Sequence, residues 1–195
     1  MQKQHGTGAA RAYYHAIRFI RYYQHLKRYN RTLWLMDVDA LFNRDPREMY
    51  RVLGDKDAAL RIRAGRFEVW NQFNACIVAA TPTPPSVLYF RLIAAYIAHF
   101  YQRNSLRWGI DQLAMYGVFE YLNDEGRAPT LAFLDDRAID YDYRDDGIVW
   151  CNSGKNKFFH MNRNPDGSLV VDDPERAKYV KLFDKYCPPK GKSLP

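Results

Sequence analysis

The sequence predicts an α/β domain on a mixed or mostly parallel sheet, and three observations carry that prediction. Strand-like apolar runs alternate with helix-like segments along the chain. One run, NACIVAATP (74–82), is continuously apolar and closes on the proline-rich turn TPTPPS, the pattern of a buried strand. Another, TLWLMDVDALF (32–42), is as apolar but carries two carboxylates, Asp37 and Asp39, near its end.

The elements follow in order. Residues 9–29 predict a helix, with Tyr13, Ile17, Ile20 and Tyr23 on one side and Arg11, His15, Arg18 and His25 on another. Asn30 is its expected stop. After the 32–42 strand, DPREMYRVL predicts a short helix with Asp45 as N-cap and Pro46 at the first helical position. AALRIRA (58–64) and FEVW (67–70) read as short strands. The 74–82 strand leads into a long helix over 86–101 and a second over 109–122. TLAFL (130–134) and GIVWC (147–151) read as later strands, and a short charged helix lies within the last 30 residues. No internal repeat or low-complexity block interrupts this order. Residues 1–187 are expected to form a single domain, with CPPKGKSLP leaving 188–195 as a frayed tail.

Composition narrows the class. With 195 residues, 47% hydrophobic and 26% charged, the chain has material for a sizeable core and is not a disordered polymer. No stretch has the roughly 18 to 20 apolar residues of a membrane helix, and the N-terminus lacks the apolar core of a signal peptide. Three scattered cysteines, Cys76, Cys151 and Cys187, make no disulfide framework, so a reducing, cytoplasmic setting is expected, or a lumenal one for a fragment of a longer secreted or anchored chain. The net charge of +7 lies entirely in residues 1–36, which hold seven basic residues and no acid. Such a segment suits phosphates of a nucleotide or nucleic acid, a membrane surface, or simply solvent.

If residues 33–39 form one strand, alternation puts Asp37 and Asp39 on the same face, with Leu33 and Leu35 behind them. Leu33–Met36 is apolar on both faces, which predicts a central strand covered on both sides. Carboxylates at the C-terminal end of such a strand lie where open α/β sheets bind ligands. Held side by side, they call for a cation, and a hard divalent metal, Mn²⁺ or Mg²⁺, suits them. Asp-x-Asp alone carries little weight, because it also occurs at Asp55/Asp57, in a turn, and at Asp140/Asp142, in what reads as a polar loop. Only the first pair follows an apolar strand. The plainer alternative is that one of these aspartates caps the following turn and the other pairs with an arginine.

LWLMDVDALF resembles the strand-plus-DxD element of GT-A glycosyltransferases, the nucleotide-diphospho-sugar transferases of the glycogenin and lipopolysaccharide galactosyltransferase type. Three more stretches match in order. RAYYHAIRFIRYYQHL is similar to the helix before their DxD strand, FNACIVAATPTP to their "FN-small-G" strand and proline turn, and WGIDQLAMYGVF to their "DQ" helix start. The resemblance covers about residues 9 to 160. It implies a GT-A-like, Rossmann-like mixed sheet with flanking helices, and transfer of a sugar from a nucleotide-diphosphate donor, UDP-sugar favoured, to a sugar, protein or lipid acceptor. It also implies metal held by Asp37 and Asp39, Asn74 on sugar hydroxyls, and Asp111 or Gln112 facing donor sugar and acceptor. The basic helix would lie beside the missing first strands, its arginines, Arg18 among them, facing either the donor phosphates or a lost partner surface. The bland readings are a satisfied buried amide for Asn74 and a carboxylate favoured by the helix dipole for Asp111.

The chain departs from the family pattern twice. Where relatives carry His-x-x-Gly-x-x-Lys, this sequence has VWCNSGKNKFFHMN. Cys151 stands at the histidine position, Lys157 at the lysine with Lys155 beside it, and His160 is the imidazole that a shifted loop would bring to the metal, or an ordinary loop histidine. Also, only 36 residues precede Asp37 and they read as one helix, so the strands that hold the nucleoside in relatives are expected to be missing. The chain thus reads as truncated at the N-terminus: a fragment, a minimal relative, or a domain completed by another segment. The alternatives are a degenerate glycosyltransferase-like scaffold and, less favoured, a module binding nucleic acid or an acidic partner through the 9–29 helix.

Overall fold

A computed structural model of the chain describes residues 5–63, 68, 72–152 and 174–186. The chain divides into two compact units, Met1–Leu35 with Leu53–Phe133, and Met36–Val52 with Leu134–Pro195. The architecture is mixed α/β, as the sequence predicts.

The first unit is a four-stranded sheet in the order β1-β4-β3-β5, where β1 is Leu33–Met36, β3 Ala58–Ile62, β4 Phe73–Ala80 and β5 Leu131–Phe133. β3 runs antiparallel to β4 and parallel to β5, so the sheet is mixed. Three helices flank it: α1 (His5–Tyr29), α3 (Pro84–Gln102) and α4 (Ile110–Asp124). β4 is the strand buried at every position, as expected for a central strand covered on both faces. β1 is not: it is half-buried throughout and stands at one edge of the described sheet, which corrects the central placement expected for it. Its Leu33 and Leu35 pack on the core, and Tyr22 donates a 2.7 Å hydrogen bond to the Leu33 carbonyl.

Helix α1 ends where predicted. Asn30 takes a left-handed conformation (φ 48°) and its N–H returns to the Leu26 carbonyl at 3.1 Å. Its buried stripe, however, is Ala12, Ala16, Phe19, Tyr22 and Leu26, one step round from the Tyr13–Ile17–Ile20 side that periodicity selects. The aromatic rings of Phe19 and Tyr22 outcompete the isoleucines for the core, Tyr22 packing edge-on to Phe90 of α3 at 4.9 Å. Helix α3 opens on Thr83, whose hydroxyl accepts from the Ser86 N–H, with Pro84 at the first helical position.

Asp57 ties this unit together. Its carboxylate accepts from the Thr83 hydroxyl (2.5 Å) and from both the N–H and the hydroxyl of Thr130 (2.8 Å each). The start of β3, the cap of α3 and the segment entering β5 therefore meet on one side chain, more than the turn residue its sequence context suggests.

The second unit holds a three-stranded sheet, β2-β7-β6, from β2 (Leu41–Phe42), β6 (Ile139–Asp140) and β7 (Val149–Trp150), with helices α2 (Arg47–Leu53, its last residue counted with the first unit) and α5 (Pro174–Tyr186). Asp45 starts α2 as predicted, its carboxylate accepting the Arg47 N–H at 2.9 Å. Asp140 overturns the polar-loop reading: it ends β6 at 1% exposure, and its carboxylate accepts the N–H groups of Asp142 (2.8 Å) and Arg144 (2.6 Å). Gly147 passes so close that a Cβ there would meet Asp140 Oδ2 at 2.5 Å, which reserves the position for glycine. Of the expected strand FEVW, only Glu68 is described, in a bend; the 188–195 tail lies outside the described residues.

Candidate functional site

The first group of candidate residues forms around an irregularity in β4. Between Leu60 and Arg61 the register of β3 on β4 jumps from Val78 to Asn74, so Ala75, Cys76 and Ile77 stand outside the paired positions on β3. A bulge of this kind frees backbone groups and re-aims side chains. Both effects are visible. Asn74 turns its Oδ1 onto the Cys76 N–H at 2.7 Å, and the Ala75 carbonyl accepts a 2.8 Å hydrogen bond from Arg18 Nη2.

Arg18 reaches the bulge from α1. Its Nε donates to the His15 carbonyl one turn back (3.0 Å), and Nη2 also meets Asp111 Oδ2 at 3.2 Å. Asp111 comes from the opening turn of α4 and is 4% exposed. Its other oxygen, Oδ1, accepts the Gln112 N–H at 2.9 Å. The helix N-terminus and the guanidinium together make a carboxylate acceptable at that depth. Arg18 thus belongs to an inward-facing cluster with Asn74 and Asp111, rather than to a solvated basic stripe. Both plain readings, a satisfied amide for Asn74 and a dipole-favoured carboxylate for Asp111, describe real contacts here; they also fix an oriented carboxylate with lone pairs to spare. Gln112, next along, is half-buried.

Gly109 makes this arrangement sterically accessible. It caps α4 in a left-handed conformation (φ 81°, ψ 3°), with no side-chain cap bond, so the chain turns sharply between Trp108 and Ile110.

Asp37 and Asp39 belong to the second unit. The strand ends at Met36, and residues 37–40 form a turn closed by the Ala40 N–H on the Asp37 carbonyl at 3.0 Å. Strand alternation therefore does not set the directions of the two carboxylates, a correction to the same-face argument. Val38, between them, is 99% exposed, while both aspartates are half-buried. The buried Tyr179 of α5 fixes the turn by donating to the Asp39 carbonyl at 2.8 Å. Nothing in the sequence marks Tyr179 for this, since it is 140 positions away and meets a backbone atom.

In donor chemistry the pair fits a hard divalent ion: two carboxylates two residues apart on one anchored, partly solvated turn. Cys151 does not. It is fully buried and its N–H is bound to the Asp140 carbonyl at 2.8 Å, the behaviour of a small apolar core residue. Among the described residues, no group of three His, Cys, Asp or Glu stands together as a ligand set. Lys155, Lys157 and His160 lie outside the described residues.

Mixed sheets with flanking helices make this an α/β protein consistent with a Rossmann-like nucleotide-sugar transferase domain. The family model for nucleotide-diphospho-sugar transferases matches residues 16–167, and the chain belongs to that family. No curated protein and no solved structure matches the chain. Among the described residues, no helix is long and apolar enough to cross a membrane.

Proposed function

We propose that the protein transfers a sugar from a nucleoside-diphosphate sugar, UDP-linked by preference, to an acceptor hydroxyl, with the help of Mn²⁺ or Mg²⁺. The observation that carries this reading is the family match, whose span of 16–167 takes in Arg18, Asp37, Asp39, Asn74, Asp111, Gln112, Lys155, Lys157 and His160. Asp37 and Asp39 would hold the metal, with His160 as the candidate third ligand. When bound, the metal supplies a Lewis acid that neutralises charge developing on the departing diphosphate. Lys155 and Lys157 would bring further positive charge to the phosphates.

The Arg18–Asn74–Asp111 cluster supports the sugar end of this reading. Asp111 offers a fixed carboxylate to a sugar or acceptor hydroxyl, and Gln112 offers an amide beside it. Arg18 acts as a positioning residue, holding Asp111 in place from α1. Nucleoside-diphosphate release from a panel of nucleotide sugars, with and without Mn²⁺, tests the proposal. Metal-dependent release that falls by at least about 100-fold in Asp37→Ala and Asp111→Asn supports it. Release independent of metal, or unchanged by both substitutions, sinks it.

A further inference from the structure

Trp108 stands three positions before Asp111 and is 67% exposed. An indole is among the largest apolar groups a chain can bury, and this one is left in water beside a buried cluster. It is nonetheless held. The His15 ring meets it at 4.5 Å between centroids and 78° between planes, a T-shaped contact that covers at most one face of the indole. The support and the cluster share a helical turn, because the His15 carbonyl is also the acceptor for Arg18 Nε, and Arg18 pairs with Asp111. The left-handed Gly109 then separates the neighbours, sending Asp111 inward while Trp108 remains outside.

We propose that Trp108, braced by His15, is the platform on which the acceptor stacks, and that the acceptor is a saccharide. The inference rests on the sugar-transfer reading above and adds the substrate class. An aromatic face is electron-rich, and the C–H bonds on one face of a pyranose carry the complementary partial positive charge. Stacking therefore holds a sugar ring by its apolar face while its hydroxyls stay free at the rim. A lipid chain lacks hydroxyls at the rim of such a face, and a peptide presents a flat face only where it carries an aromatic or proline side chain. Trp108 stands on the turn that opens α4, so a ring stacked on the indole lies beside the start of the helix that carries the candidate residues Asp111 and Gln112.

The test is saturation-transfer NMR on the full chain with UDP and Mn²⁺ present, using the methyl glycosides of glucose, galactose, mannose and xylose as probes. We expect at least one glycoside to bind, with the strongest transfer to its ring C–H protons. Its affinity should fall about tenfold in Trp108→Ala, the scale of one aromatic contact, and recover in part in Trp108→Phe. Tyr121→Ala, which removes a 56% exposed ring near the other end of α4, should leave it unchanged. Equal binding in wild type and Trp108→Ala overturns the proposal, as does binding of none of the four glycosides. UDP affinity of the wild type, read on the same samples, separates the two readings: glycoside binding lost in Trp108→Ala without any UDP binding overturns the donor site and supports the platform.

Discussion

The Arg18–Asp111 pair can be tested by a double-mutant cycle. Arg18→Met keeps the length of the stem but removes the guanidinium from Asp111 and from the Ala75 carbonyl. Asp111, 4% exposed, would then be left with only the Gln112 N–H. Stripping one partner from a buried pair costs about 3–5 kcal/mol. The Arg18 side chain is 17% exposed and so partly reached by water, which puts the expected loss near the lower end, about 3 kcal/mol. Asp111→Leu should cost a similar amount by taking the carboxylate away from the part-buried guanidinium. The double variant removes both charges, so its loss should fall short of the sum by about 2 kcal/mol. Urea unfolding of the full chain at neutral pH, followed by far-ultraviolet circular dichroism, gives all four corners of the cycle. Losses that add to within about 0.5 kcal/mol would refute the coupling, and with it the idea that Arg18 holds Asp111 in place.

Three further outcomes follow from particular contacts. Burial pushes the Asp57 carboxyl up, but hydrogen bonds from Thr83 and Thr130 outweigh it and hold the group below its ordinary range. Its stabilisation is therefore present above the unfolded value near ~3.9 and lost as pH falls through the lower folded value; the stability gap between wild type and Asp57→Asn should be largest at neutral pH and close below about pH 4. Gly109→Ala forces a side chain into φ 81° and should cost about 1–2 kcal/mol, seen as a lower melting temperature, with a loss of sugar transfer as the Trp108–Asp111 turn shifts. Ile77, fully buried within the irregular stretch of β4, should lose about 2–5 kcal/mol on substitution by Ala, measured by the same urea unfolding.

Elements with a long period or a distinct boundary were legible before the structure. The unbroken apolar run over 74–82 marks the buried strand, observed as Phe73–Ala80, and the proline-rich turn after it marks the change to α3, which starts at Pro84 rather than at 86. β2 and β6, each two residues long, have no pattern to show. The DxD stretch misleads for a definite reason: Val38 between two aspartates extends the strand alternation, whereas the fold leaves that valine 99% exposed in a turn. Backbone partners leave no trace in side-chain identity. That is why the bulge offering the Ala75 carbonyl to Arg18 was not legible, and why Asp140, satisfied by N–H groups, looked like one more loop carboxylate. Arg18, Asn74 and Asp111 could each be named from sequence motifs, but their meeting depends on the packing of α1 and α4 around β4.

The central claim is that this chain binds a nucleoside diphosphate through a divalent metal. Calorimetric titration of UDP into the protein with Mn²⁺, repeated with a chelator in place of the metal, measures it directly. Saturable binding that needs the metal and is lost in both Asp37→Ala and Asp39→Ala is the predicted result. Binding of equal strength without metal, or no binding in either condition, would contradict the account.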